Sequence, residues 1–119
     1  MAETLDVCVT GAGGYIGSRV TKLLLKEGHD VTPIDSFRTA QVEEIDGVRV
    51  KEADVRDRER MREAIDGSDI VMHLGAVSGV QDCEENPEEA FDINVAGTEN
   101  VAWVCRESET PLVFPCSMA

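Results

Sequence analysis

The sequence predicts an α/β fold: a doubly wound parallel sheet with strand order 3-2-1-4-5 and helices on both faces. Three observations predict it. Short β-branched runs alternate with longer stretches of helical periodicity along the chain. The connections are short, and with right-handed crossovers they leave a parallel sheet as the solution. The 119 residues, 42% of them hydrophobic, suffice for one domain (1–119) with one core.

The elements follow in order. Residues 6–10, Asp-Val-Cys-Val-Thr, read as the first strand. Residues 14–28 read as the first helix, with Ile16, Val20, Leu23 and Leu24 at i, i+4, i+7 and i+8, and Gly28 as its stop. Residues 30–34 read as the second strand, although Pro33 cannot donate to a ladder. The stretch to Gly47 reads as a short helix or loop. Residues 48–53 alternate and carry charge, as an edge strand does. Residues 57–65 read as a helix with Met61, Ala64 and Ile65 on one side, and 69–74 as the fourth strand. A long helix is predicted over 87–107, with proline in its first turn. Residues 112–114 open the fifth strand, and the sequence stops shortly after it.

Charge excludes some functions. The net charge is −13, from 24 acidic and 11 basic residues, so nucleic acid and anionic membranes are poor partners. The dispersed acidity and scarce lysine match proteins that work in high salt, where screening relieves self-repulsion. No apolar run approaches the roughly 20 residues of a membrane span. The acidic N-terminus is unlike a secretory signal, so a cytoplasmic location is expected. Cys8, Cys83, Cys105 and Cys116 form no CxxC pair, and no metal site is expected.

The strongest chemical signal is Gly11-Ala12-Gly13-Gly14-Tyr15-Ile16-Gly17, a GxxGxxG pattern between a strand and a helix. Gly11 permits a tight turn, Gly14 lets a pyrophosphate approach the backbone, and Gly17 lets the helix pack on the strand. The helix N-terminus then offers free N–H groups and partial positive charge to phosphates. This is a Rossmann-type dinucleotide site at the carboxyl ends of strands one and four. Asp35 follows the second strand, 18 residues after Gly17. An acid there accepts from the ribose hydroxyls and repels a 2′-phosphate, which favours NAD over NADP. Its alternative is a simple cap of the next turn. Ser36 and Arg38 lie beside it, and Arg38 works against that preference.

With Asp54-Val55, His73-Leu74-Gly75-Ala76 and Asn94-Val95-Ala96-Gly97-Thr98 added in order, the chain resembles the extended short-chain dehydrogenase/reductases. These are the NAD-dependent nucleotide-sugar epimerases and dehydratases, and the resemblance covers essentially the whole chain. It implies that Asp54 and Val55 hold the adenine, unless Asp54 caps the next helix. It implies that Leu74, Gly75, Ala76, Val77 and Ser78 line the cofactor. Asn94 resembles the asparagine near the nicotinamide half; the alternative is a structural tie between helix and loop. Ser117 aligns with the catalytic hydroxyl that orients the sugar hydroxyl being oxidised. Met118-Ala119 follow it in place of the dehydratases' Asp-Glu, which points to an epimerase, reductase or decarboxylase. The family's Tyr-x-x-x-Lys lies beyond strand five, so this chain is expected to be inactive alone.

The function this implies is the NAD-binding portion of a nucleotide-sugar epimerase-like enzyme. The alternatives are a non-catalytic NAD-binding module and an NAD-dependent reductase of a non-sugar alcohol. The exposed side of the 87–107 helix carries Trp103, where the family forms a dimeric bundle. A homodimer through that helix, or self-association through the bare fifth strand, is the expected assembly.

Overall fold

The computed structural model describes residues 3–116. Five parallel strands form the main sheet: β1 (Asp6–Thr10), β2 (Asp30–Asp35), β5 (Lys51–Glu52), β6 (Ile70–His73) and β7 (Leu112–Val113). Their order is β5-β2-β1-β6-β7, the 3-2-1-4-5 arrangement expected. β1 sits at the centre and its side chains alternate between faces. Cys8 joins a layer with Met61, Ile65, Val101 and Val104. Val7 and Val9 join the opposite layer with Ile45 and Val50, against Leu24 and Leu25. Burial of both faces explains the unbroken apolar run of β1. Each fully buried Met or Ile of these layers contributes roughly 1.5–3 kcal/mol.

α1 spans Tyr15–Lys26, but its buried stripe is not the one expected. Gly17 and Thr21 are buried, whereas Ile16 and Leu23 are 59% and 58% exposed. Gly17 sets the phase. It packs on the turn after β1 so closely that a Cβ there would lie 2.0 Å from the Gly11 carbonyl oxygen. Thr21, Leu24 and Leu25 then follow it toward the sheet at i+4, i+7 and i+8.

Pro33 is tolerated because of register. Alternate residues of β2 donate toward β1, beginning with Asp30 to Leu5. The nitrogen of Pro33 therefore points away from β1, and β5 begins its pairing only at Ile34.

The expected strand over 48–53 is two elements. Val48–Arg49 (β4) turns back on Glu44–Ile45 (β3) as an antiparallel hairpin, and only β5 joins the main sheet. Asp46 and Gly47 have φ of 46° and 85°. Positive φ at both central residues is the turn that an Asp-Gly pair favours. Residues expected as helix or loop are thus partly strand.

α2 (Arg58–Ile65) starts at an N-cap, Asp57, whose carboxylate accepts the N–H of Arg60. A short helix absent from the sequence reading, α3 (Val80–Glu85), precedes α4 (Pro87–Phe91). The long predicted helix is interrupted. A π-helical turn, Asp92–Ala96, separates α4 from α5 (Gly97–Glu107). The extra residue in that turn breaks a uniform helical projection. Phe91 and Val95 are consequently 62% and 51% exposed, while Cys105 is buried. Trp103 is 42% exposed, as its projection predicted, and Arg58 and Arg106 lie over its ring. No helix among the described residues is long and apolar enough to cross a membrane. The four cysteines are free, and the described residues contain no cluster of metal-ligating side chains.

Candidate functional site

A groove of about 340 Å³ opens at the carboxyl ends of β1, β2 and β6. The strand order reverses there, because β2 and β6 flank β1 on opposite sides. Its wall at β1 is the glycine turn. Gly11 has φ of 69°, and a Cβ on it would lie 2.7 Å from the Cα of Gly75. The Gly14 N–H donates to the Gly11 carbonyl at 3.1 Å and closes the turn. Gly14 itself is open: a Cβ on it would touch only the Gly11 oxygen, at an ordinary 3.5 Å. No side chain caps Gly14, and the first turn of α1 holds no acidic residue. The first N–H groups of α1 have no intrahelical partner, and Tyr15, Ile16 and Gly17, which carry them, line the groove.

The floor is a lock between β1 and β6. The Thr10 hydroxyl accepts the N–H groups of Leu74 and Gly75 at 3.0 and 2.9 Å. Both of its lone pairs are then used, so its own hydrogen goes to His73 Nδ1, 2.6 Å away. The imidazole is therefore the neutral tautomer with hydrogen on Nε2, which donates to the Thr98 hydroxyl at 2.9 Å. Burial pushes the His73 pKa down from 6.5 to about 4. This lock brings Gly75 against Gly11. A Cβ on Gly75 would lie 3.2 Å from the Thr10 hydroxyl oxygen, a tight contact that a shift of a few tenths of an ångström would relieve.

Asp35 ends β2 with both carboxylate oxygens engaged. Oδ2 accepts the Gly13 N–H and Oδ1 accepts the Phe37 N–H, each at 2.9 Å. It is thus both a turn cap and the anchor of the glycine loop, and each oxygen keeps a further lone pair. Gly13 is held from the other side as well, since its carbonyl accepts the N–H of Gln41 at 2.7 Å. Arg38 lines the groove, but its guanidinium is committed. It forms a bidentate pair with Asp82 at 2.7 and 2.8 Å, and Nε donates to Glu89 at 2.7 Å. The hydrogen bonds from Arg38 pull the Asp82 carboxyl down to about 2.

Asp54 and Val55 close the far side. The Asp54 carboxylate accepts from the backbone and guanidinium of Arg56, and that side-chain bond holds its pKa below the usual range. Asp54 does not cap α2; Asp57 does. Val55 sits in a notch of α5, where a Cβ on Gly97 would lie 2.4 Å from Val55 Cγ2. Asn100 donates to the carbonyls of Val55 and Arg56 at 3.0 Å each and fixes that loop.

The structure brings together Gly11, Gly14, Tyr15, Ile16, Gly17, Asp35, Ser36, Arg38, Asp54, Val55 and residues 74–78 around this one groove. Asn94 stands apart. Its side chain accepts the Val77 N–H at 2.7 Å and donates to the Val77 carbonyl at 3.0 Å, so it ties helix to loop behind the lining. Ser117 lies outside the described residues. Sequence alone gives no role to Thr10, Gly13 or His73, although Gly13 and His73 stand within the motifs, and does not mark the groove-lining segment Thr39, Ala40 and Gln41. A third glycine in the loop was the available signal for Gly13, and a lone apolar-flanked histidine the signal for His73.

Residues 7–119 match the model of the NAD dependent epimerase/dehydratase family. The chain is 31% identical to the UDP-N-acetyl-alpha-D-glucosaminuronate decarboxylase of Bacillus cytotoxicus, over 89% of this chain and 34% of that protein. It is 41% identical to the L-arabinose 1-dehydrogenase (NAD(P)(+)) of Haloferax volcanii, over 80% of this chain and 34% of that protein. Among solved structures it resembles the UDP-glucose 4-epimerase of Thermus thermophilus in complex with NAD. The TM-score is 0.84 at 32% identity, over 92% of this chain and 37% of that one. The chain therefore spans about a third of the length of the curated relatives it matches. With the glycine turn, the Asp35 anchor and the 74–78 wall in one groove, and a family match over nearly every residue, the chain belongs to the NAD-dependent epimerase/dehydratase family.

Proposed function

We propose that the groove binds NAD, and that the protein is a nucleotide-sugar epimerase-like enzyme working by transient hydride transfer from a sugar hydroxyl to NAD. The observation that carries this is the uncapped N-terminus of α1 beside an open Gly14, facing the groove. Loop 11–17 and the α1 N-terminus hold the pyrophosphate by N–H donation and partial positive charge. Asp35, with Ser36 beside it, accepts from the adenosine ribose through its remaining lone pairs. Asp54 and Val55 flank the adenine, and residues 74–78 line the path toward the nicotinamide. Asn94 acts through Val77 as a positioning residue. Ser117 orients the sugar hydroxyl. When bound, NAD supplies the hydride acceptor; the residues of this chain bind it and shape its surroundings. The exposed Trp103 on α5 is the proposed contact for a second copy.

Isothermal titration checks the binding claim. Wild type takes up NAD, and Gly14→Val loses it while folding normally. Equal affinity of the two would remove the site assignment. The likeness to an arabinose dehydrogenase favours a second reading, an NAD-dependent sugar dehydrogenase. The assay needs a chain that carries the family's Tyr-x-x-x-Lys after these residues. There, interconversion of a UDP-sugar without net NADH supports the first reading, and stoichiometric NADH release from a free sugar supports the second.

A further inference from the structure

We infer that Asp82 and Glu89 are specificity-determining residues of the groove: by occupying Arg38 they exclude a 2′-phosphate from the ribose end and set the preference for NAD over NADP. The inference rests on the proposal that the groove binds NAD.

Arginine close to the acid that follows the second strand is the residue type that accommodates a 2′-phosphate in such sites. Arg38 stands three residues after Asp35 and lines the groove. A free guanidinium there would offset the repulsion from Asp35. Here it is not free. Asp82 of α3 takes both terminal nitrogens as a planar bidentate partner, and Glu89 of α4 takes Nε. Arg38 also has little freedom to turn away, with its side chain 21% exposed. Such fork-to-fork pairing is directional and is the strong form of the interaction. Asp82 is held in place in turn by an amide hydrogen from Asn86.

The local charge gives the same answer. Both arginines here are engaged by acids: Arg38 by Asp82 and Glu89, and Arg56 by Asp54, with Glu89 4.0 Å away and Asp92 also acting on it, while Asp35 and Asp54 line the groove beside Arg38. A dianionic phosphate would enter a surrounding of net negative charge. Without Asp82 and Glu89, two negative charges are gone and the fork of Arg38 is open. Neither partner of Arg38 is close to it in sequence: Asp82 and Glu89 lie 44 and 51 residues away. They come from α3 and α4, elements that make no strand of the sheet, and they reach the groove through Arg38, which lines it.

The test is titration of the purified protein with NAD and with NADP at one fixed ionic strength, because partly exposed pairs are screened by salt. The variant D82N/E89Q is expected to narrow the ratio of NAD to NADP affinity by about tenfold or more. Adding Arg38→Ala to that variant is expected to restore the wild-type ratio, since the gain runs through the freed guanidinium. Asp82→Glu, which keeps the pair, should leave the ratio near wild type. These readouts separate a specificity role from a merely structural brace, which would weaken both nucleotides alike. An unchanged ratio in a variant that still binds NAD overturns the inference and leaves the NAD reading intact. So does a gain that survives loss of Arg38. Failure of wild type to bind either nucleotide overturns the NAD reading and this inference with it. Should the double variant fold poorly, Glu89→Gln alone is expected to narrow the ratio about threefold, and no change there overturns the inference equally.

Discussion

The N-termini of α1 and α2 present the same set of orphan N–H groups and treat them in opposite ways. At α2, Asp57 caps the helix and Glu59 adds a negative charge in the first turn. At α1, the N-cap is Gly14, no side chain answers the N–H groups, and no acid lies in the first turn. One end is completed within the chain, so it serves stability. The other is left to something outside the chain, so it serves binding. The surrounding backbone makes the second arrangement possible: Gly11, Gly13 and Gly17 are packed without room for a methyl group, and of the four loop glycines only Gly14 has room for one.

Four measurements break or sharpen this contrast. The largest effect is expected at Gly17→Ala. The added Cβ would lie 2.0 Å from a backbone oxygen, which cannot move without opening the turn. A loss of about 3 kcal/mol or more is expected in denaturant unfolding. The floor under the same loop gives a comparable effect through pH. His73 is neutral when folded, with its pKa lowered from 6.5 to about 4. The unfolded chain binds the proton first, so this stability is complete above about pH 6.5 and is lost as pH falls toward 4. The total is about 3 kcal/mol, and His73→Gln should remove that part of the pH dependence. Next comes Gly14→Val. Its φ of −84° and ψ of −177° suit a β-branched residue, so the melting temperature should hold while NAD affinity falls about a hundredfold. Smallest is Asp57→Ala, a loss of about 1 kcal/mol of stability with NAD affinity unchanged. If instead Asp57→Ala weakened NAD binding and Gly14→Val did not, the two helix ends would have exchanged roles.

What was legible in the sequence was local. Strand periodicity, the glycine spacing and Asp35 at the end of β2 are written in neighbouring residues, and the sheet order and the groove follow from them. The Asp46-Gly47 turn was equally local but lay at the end of a stretch that reads as a short helix or loop, just before the alternation of 48–53 that suggests one strand. The rest depends on distant partners. That Arg38 is occupied rather than available depends on residues far along the chain. That Asn94 is spent on Val77 depends on the loop before α3. The helix phase of α1 was misread because hydrophobicity was weighed above the contact of Gly17, a residue with no side chain to register in any pattern. His73 was seen as part of a motif but given no work, since its task appears only when Thr10 and Thr98 close on it.

The π-helical turn at Asp92–Ala96 has a consequence for how this region can change in length. It holds one residue more than an α-helix of the same rise requires. A single deletion there would leave an unbroken helix with every backbone hydrogen bond formed, because the wider turn absorbs its extra residue locally. The residues after it would stay nearly in place: Val101, Val104 and Cys105 would keep their seats in the core, and Gly97 would still receive Val55. The same deletion inside α5, where no residue is spare, would turn everything after it by about 100° and pull that face out of the core. The segment can thus shorten by one residue at this turn without disturbing the sheet or the Val55 loop.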